Sequence, residues 1–156
     1  VLAPLEALAL HPDAQVRARA VDAAGTMPSK RSAQLLRRAA SDTDPNVLAA
    51  VARAVGRKQS AVFVDPLCRL ARDAATMEVR VAALRALALI DNAEAAEAVL
   101  AALEAGSAQE RRAVIDALRR RRPDGNGHLA MAARARLAKG VSTAVARDFE
   151  SALRGR

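Results

Sequence analysis

The stretch that decides the fold is VRARAVDAAG at residues 16–25, because its pattern returns three more times along the chain. It returns as VLAAVARAVG at 47–56, as VRVAALRALA at 79–88 and as ERRAVIDALR at 110–119. The successive offsets are 31, 32 and 31 residues. A repeat of this length is typical of a stacked array in which each unit buries its apolar face against its neighbours. The sequence therefore predicts an elongated repeat protein.

A helix-capping side chain stands three residues before each of these blocks. The four residues are Asp13, Asp44, Thr76 and Ser107. Such side chains accept a hydrogen bond from the free amides of a helix's first turn, which contributes about 1 kcal/mol each. Pro45 fits the first helical position, and Glu110 has capping-box spacing from Ser107. A helix is therefore predicted to begin at the same point in every unit.

The apolar residues inside these helices follow the spacing i, i+4, i+7, i+8, which makes one buried stripe. One position always carries the smallest helix former, at Ala23, Ala54, Ala86 and Ala117. A larger residue there would push apart helices that must pack closely. Gly25 and Gly56 are predicted to end the first two helices in a left-handed conformation.

Further apolar clusters predict a partner helix in each unit. These clusters are Leu5 and Leu8, Leu35 and Leu36, Leu67 and Leu70, and Val99, Leu100 and Leu103. Ser29 is a plausible start for the second of these helices, and the third begins either at Asp65-Pro66 or near Ser60. Residues 60–64 are the one run that resembles a β-strand. Two more helices are predicted at about 128–138 and 143–154, the last with Val145, Phe149, Ala152 and Leu153 inward.

These elements predict an all-α fold, an α-solenoid of about five stacked antiparallel helix pairs. The units are expected at about 1–27, 28–58, 59–90, 91–122 and 123–156, within a single domain of residues 1–156. The first helix starts abruptly in apolar residues, and Val1 is not an initiator methionine. We therefore expect the sequence to be a segment of a longer chain.

The run DPNV at 44–47, followed by AV at 50–51 and AVG at 54–56, resembles the second helix of HEAT-like repeats. This is the short bacterial kind that is also found in phycobilin-lyase-type proteins, and the resemblance covers about residues 2–122. It implies a helical superhelix whose arginine after the valine reaches an acidic residue in the adjoining repeat. Arg17, Arg80 and Arg111 match that position, whereas Leu48 departs from it, so the ladder is expected to be broken at the second unit.

The net charge of +8 is concentrated in the last third of the chain. Residues 1–106 carry 13 basic and 12 acidic side chains, and residues 107–156 carry 12 and 5. The densest run, six arginines within 111–122, is opposed only by Asp116. It is either an anionic docking site or a solvated helix end that matches the dipole, in a chain that uses 22 Arg against 3 Lys. Both interpretations stay open.

Residues that carry chemistry are sparse. His11 and His128 have no partner at metal-ligand spacing, and Cys68 is the single cysteine, which excludes an internal disulfide. The turn at 125–127 lacks the Lys-Ser/Thr of a phosphate loop, and no apolar run is long enough to span a bilayer. We therefore predict no catalysis, no cofactor, no metal, no membrane insertion and a cytoplasmic location.

The predicted function is a non-catalytic scaffold that binds another protein or another domain of the same chain. In HEAT-like solenoids the second helices usually line the concave face. Its outward positions are expected to be Gln15, Arg19, Asp22, Asn46, Arg53, Glu78, Arg85, Gln109, Arg112 and Asp116, padded by Ala18, Ala49, Ala50, Ala82 and Ala113. The candidate partner-binding residues are Arg19, Arg53, Arg85, Arg112, Arg119, Arg120, Arg121 and Arg122.

Two alternatives remain. The basic fourth and fifth units predict a nucleic-acid-binding protein, although only Phe63 and Phe149 are aromatic and no platform for base stacking is evident. The second alternative, a subunit of a bilin-lyase-type enzyme, is implied by the resemblance alone.

Overall fold

The computed structural model describes residues 2–121 and 127–154, and within these residues it contains helices and no strand. The helices are α1 (Leu2–Leu8), α2 (Ala14–Gly25), α3 (Lys30–Ala39), α4 (Pro45–Lys58), α5 (Val64–Asp73), α6 (Met77–Leu87), α7 (Ala93–Ala105), α8 (Ala108–Arg121), α9 (His128–Ala138) and α10 (Thr143–Arg154). Most of the predicted turn before α9, at 123–126, lies outside the described residues. The all-α prediction is confirmed.

The helices form pairs, each with an odd-numbered first helix and an even-numbered second helix. The second helices pack side by side in chain order, from α2 through α4, α6 and α8 to α10. Each first helix packs against the second helix of its own pair, and α5, α7 and α9 also pack in series. This is the predicted α-solenoid. The boundaries of the units stay a prediction.

The predicted helix starts are correct, and most of the caps form. Asp13 and Asp44 each accept a hydrogen bond from the amide two residues further on, at 2.8 Å. Ser107 and Glu110 form the reciprocal capping box, in which the Ser107 amide donates to the carboxylate at 2.8 Å. Thr76 occupies the position before α6, but its side chain makes no capping hydrogen bond. Its predicted role as a side-chain cap is therefore wrong.

The β-like run at residues 60–64 forms no strand, and of the two starts predicted for this helix the one near Ser60 is correct. Ala61–Phe63 form a 3₁₀ turn, and Val64 begins α5, so helical structure starts directly after Ser60. Phe63 and Val64 are both buried, because the turn directs this apolar run into the core. Pro66 is the third residue of α5, where its missing amide costs no intrahelical hydrogen bond.

One continuous apolar core extends along the solenoid, from Val21 to Phe149. Both aromatic side chains of the sequence, Phe63 and Phe149, are buried in it. Val145 and Leu153 of α10 pack against it as predicted, whereas the Ala152 side chain lies outside the described residues. Leucine, valine and alanine supply the rest, so the burial depends on close approach of the helices.

Gly25 and Gly56 do not end their helices in the left-handed conformation, and that prediction is wrong. Gly25 is the last residue of α2, which is followed by Thr26 in a right-handed conformation. Gly56 lies inside α4, which continues to Lys58 and is followed by Gln59 at φ 49°. Both glycines are buried, so a requirement other than a left-handed conformation explains why glycine stands at these positions.

That requirement is contact between successive second helices. A Cβ atom on Gly25 would lie 2.6 Å from the Cβ atom of Ala54, which is far inside van der Waals contact. A Cβ atom on Gly56 would lie 3.2 Å from the Cα and Cβ atoms of Ala86. Ala54 and Ala86, two of the four alanines at the predicted small position, therefore each meet a glycine of the preceding unit, and for these two the prediction is confirmed.

We expect Gly25→Ala to lower the free energy of unfolding by about 1–2 kcal/mol, because overpacking outweighs the gain in helix propensity. Gly56→Ala, with its looser contact, should cost less than Gly25→Ala. Urea denaturation followed by circular dichroism measures both.

Ala54→Gly supplies the matched control for Gly25→Ala. In the double variant the opposing methyl group is gone, so the cost of the Gly25→Ala change should shrink. A Gly25→Ala protein that is as stable as the original would contradict the close approach.

Candidate functional site

The second helices present one exposed row of side chains, which we call the second-helix face. Most of the predicted outward residues are exposed there, and they are Gln15, Arg19, Asn46, Arg53, Glu78, Arg85, Gln109 and Arg112. Asp22 and Asp116 are half-buried. Because the repeat keeps its phase, each helix places these positions in register with the next.

Three of the predicted alanines do not lie on this face. Ala49, Ala50 and Ala113 are buried, and Ala18 and Ala82 are half-buried. The reason is that α4 and α8 each pack between two other second helices, which cover the flanks of the helix. The prediction of a face padded by small residues is therefore wrong for these three positions.

Part of the positive charge on the second-helix face is neutralised internally. Arg53 and Arg57 both donate to the carboxylate of Asp22, at 3.1 and 3.2 Å, across the boundary between the first and second pairs. Arg57 also donates to the backbone carbonyl of Asp22. One carboxylate thus holds two guanidinium groups from the following helix.

Four exposed arginines on α2, α6 and α8 form neither an ion pair nor a side-chain hydrogen bond within the described part of the chain. They are Arg19 on α2, Arg85 on α6, and Arg112 and Arg120 on α8. An exposed cation that no carboxylate holds in an ion pair remains available to an anionic ligand. These four residues form the candidate site.

In its described part, the arginine-rich run is partly occupied by contacts with α10. Arg111 donates to the carbonyl of Gly106 at 2.9 Å and lies 3.8 Å from the Asp148 carboxylate, and Arg119 donates to the hydroxyl of Ser151 at 3.0 Å. The contacts with Asp148 and Ser151 attach α8 to the last helix. The Arg121 side chain and all of Arg122 lie outside the described residues. A binding role for the run stays a prediction.

The ladder of arginines implied by the family resemblance is confirmed. Arg17 makes two hydrogen bonds to the Asp42 carboxylate, at 2.8 and 3.0 Å, and Arg80 reaches Glu110 at 3.0 Å. The third contact of the ladder is the ion pair between Arg111 and Asp148, which is longer, at 3.8 Å. Leu48 interrupts the ladder in the second unit, as expected. Each tie joins one helix pair to the next.

The same three arginines also close the loop before their own helix. Each donates to a backbone carbonyl five or six residues earlier, and the acceptors include Pro12, Ala74 and Gly106. A planar guanidinium can serve both partners because its donors point in fixed, divergent directions. The ladder therefore orders loops as well as interfaces.

These contacts shift the acidity of the carboxylates. The hydrogen bond from Arg17 lowers the pKa of Asp42 below its ordinary value. Burial acts to raise the pKa of Glu110, but hydrogen bonds from Ser107 and Arg80 outweigh it, so this pKa is also lowered. Both carboxylates are thus held in the ionised form by the fold.

The remaining chemistry-bearing residues are separated from one another. Burial raises the pKa of the Cys68 thiol to about 11, which disfavours a reactive thiolate at neutral pH. His11 accepts from the Asp13 amide, and His128 contacts Asp91 at the start of α9. In residues 2–121 and 127–154, no three His, Cys, Asp or Glu side chains come together as a metal site.

A second group of cations, on α3, was missed from the sequence. Lys30, Arg31, Arg37 and Arg38 are all exposed, and the helix contains no acidic residue. The signal that could have identified this group is the segment KRSAQLLRRA at 30–39, which has four cations and no acidic residue.

The fold and its contacts define the class of protein, a helical-repeat solenoid. The sequence model of the family described as HEAT repeats matches residues 2–77, so this part of the chain is similar to HEAT repeats. No curated protein matches the chain significantly.

Among solved structures, the chain is similar to the crystal structure of an engineered protein from the Northeast Structural Genomics Consortium. The TM-score is 0.62 at 18% sequence identity, and the alignment covers 99% of this chain and 80% of that one. At this identity the likeness supports the fold alone. No described helix has the length and apolar character that crossing a membrane requires.

The lowered carboxylate pKa values predict acid sensitivity. Because both groups are ionised in the folded protein, their contribution is complete at neutral pH and is lost as the pH falls below about 4. The free energy of unfolding, measured by urea denaturation at a series of pH values, should therefore fall on acidification.

Asp42→Asn should flatten this acid limb because it removes one of the titrating groups. Asp65→Asn, which breaks only the exposed pair with Arg69, is the control and should leave the limb unchanged. An identical slope for the Asp42→Asn and original proteins would show that the Arg17 tie has no energetic role.

Proposed function

We propose that this chain is a non-catalytic helical-repeat scaffold that binds another protein, or another domain of its own polypeptide, through the second-helix face. The supporting observation is that four exposed arginines, Arg19, Arg85, Arg112 and Arg120, form no ion pair with any residue that the structure describes. Because the second helices pack in series, these charges are distributed along several repeats. An extended partner with carboxylates at matching spacing gains several contacts at once.

A scaffold role also agrees with where the described interior places its polar groups. Ser32 is the one buried polar residue there, and its hydroxyl donates to Met27 and Ser29 carbonyls. Lys58 donates to the Met27 carbonyl and to Ser32. These groups satisfy one another in a structural network between two pairs. We place the protein in the cytoplasm, since its single cysteine gives it no internal disulfide.

Nucleic acid is the second candidate partner, and the exposed Arg112 and Arg120 favour it. Stacking of bases is not available from the aromatic residues, since Phe63 and Phe149 are both buried and the sequence has no Trp or Tyr. A phosphate-backbone contact would therefore have to depend on charge alone. A role as a bilin-lyase subunit has no supporting contact among the described residues.

The test uses the quadruple variant Arg19→Gln, Arg85→Gln, Arg112→Gln, Arg120→Gln. The original protein and the variant are each immobilised and incubated with a cell extract. The proteins that they retain are identified by quantitative mass spectrometry. The retained partner is then purified, and its affinity is measured by calorimetry. We expect the affinity of the purified partner to fall at least about tenfold in the variant, because four charge contacts are lost. Glutamine keeps the helix propensity, so the helical content should not change.

The matched control removes the same number of charges from α3, by Lys30→Gln, Arg31→Gln, Arg37→Gln, Arg38→Gln. It should retain the partner that the first variant loses. A partner that both variants bind unchanged would contradict the proposed surface. Binding of a short DNA duplex, with a log–log salt slope near −4 or steeper, would indicate roughly four phosphate contacts and move nucleic acid ahead.

A further inference from the structure

Among the described helices that contain no acidic residue, α3 carries the most cations. Its four cations, Lys30, Arg31, Arg37 and Arg38, are exposed and unaccompanied by any acidic residue on the helix. Within the described residues none of the four forms an ion pair. Arg37 lies over the ring of Phe63, 6.0 Å from its centroid, a contact that leaves the charge uncompensated.

Carboxylates near α3 are already engaged, with one exception. Asp42 is held by Arg17 and Asp65 by Arg69. Glu6 of α1, which faces α3 across a cleft, is the exception among the acidic side chains that border the helix. The four cations of α3 thus exceed the nearby free negative charge.

Two open clefts separate α3 from the first helices on either side. The cleft toward α1 has a volume of about 620 Å³, and Arg38, Leu35 and Ala39 form its α3 wall. The cleft toward α5 has a volume of about 640 Å³, with Arg37 on the α3 wall and Leu70 opposite. Each cleft thus has an arginine beside apolar lining.

Large apolar side chains are exposed in both clefts. Leu10, in the cleft toward α1, is 76% exposed, and Val62, in the cleft toward α5, is 59% exposed. In the described structure, only Leu8 and Met131 are also large, apolar and exposed. Apolar surface beside a concentration of charge is typical of a place where a partner binds.

We propose that α3 and its two flanking clefts, here called the α3 surface, bind an acidic peptide segment of another protein. Carboxylates of the segment pair with the arginines, and large apolar side chains enter the clefts beside Leu10 and Val62. A peptide matches this surface better than a nucleic acid, because the clefts offer apolar lining and no exposed aromatic ring for a base. The proposal is independent of the second-helix face, which lies on other helices.

A random peptide library displayed on phage tests the proposal, with the intact chain as bait. We expect enriched sequences to combine Asp or Glu with Leu, Ile or Phe. A fluorescein-labelled synthetic copy of the most enriched peptide then measures affinity by anisotropy. Affinity should fall at least about tenfold in Lys30→Gln, Arg31→Gln, Arg37→Gln, Arg38→Gln. The quadruple variant of Arg19, Arg85, Arg112 and Arg120 has the same charge and should bind normally.

The apolar part of the proposal has its own variants. Leu10→Ser with Val62→Ser should weaken binding of the same labelled peptide several-fold, since each removes apolar contact in a cleft. Met131→Ser, which changes an equally exposed apolar side chain on α9, is the matched control and should not change the affinity. Circular dichroism confirms that each variant is folded.

Three results would overturn the proposal. One is that the enriched peptides lack Asp and Glu, or that no peptide is enriched at all. Another is that a selected peptide binds the α3 variant with the same affinity as it binds the original protein. The third is a short labelled DNA duplex that binds through the α3 cations while the peptides do not. Loss of binding in the second-helix variant alone would support the proposed function and reject the α3 surface, so the two fail separately.

Discussion

Close contact between successive second helices is the constraint on which the rest of this structure depends. Gly25 meets Ala54 and Gly56 meets Ala86, each with no room for an added methyl group at normal van der Waals distance. With only two aromatic residues in the sequence, the chain cannot fill wide gaps between helices, so it reduces the gaps. The close backbone spacing between α2 and α4 also brings Arg53 within reach of Asp22.

The arginine ladder uses that register at the opposite end of the same helices. Arg17 and Arg80 each bind a carboxylate of the next pair and a carbonyl of the preceding loop. The pairs are partly buried, so their geometry matters more than that of a freely exposed ion pair. Packing of small residues and polar ties therefore act together in holding one repeat on the next.

Much of this architecture could be predicted from the sequence, because its signals are local or periodic. The cap at Asp44 lies next to the helix that it starts, and the arginine of the ladder recurs in fixed phase. The role of Gly25 could not be predicted in the same way. A glycine near a helix end suits a left-handed turn as well as a close contact, and the choice depends on Ala54, far along the chain. The burial of Ala49 and Ala50 has a similar origin, since helices from two other units cover them.

The candidate site was predictable in composition but not in pairing. Sequence density pointed to the arginines of α8, yet Arg111 and Arg119 are engaged by α10, and α10 follows the whole run. The sequence gives no partner for Arg53, whereas in the folded protein Asp22 of the previous repeat lies beside it. Charge that remains available to a ligand is what is left after these tertiary pairings. Only the folded structure identifies that remainder.

The break at Leu48 distinguishes one joint of the solenoid from the others. At the joint between the second and third pairs the arginine tie is missing, and a cleft separates α3 from α5. The Gly56–Ala86 packing and the Arg37–Phe63 contact are two of the links there, and both accompany the packing of α4 on α6. This joint therefore depends on the apolar packing of α4 against α6, whereas the neighbouring joints add an ion pair between a guanidinium and a carboxylate.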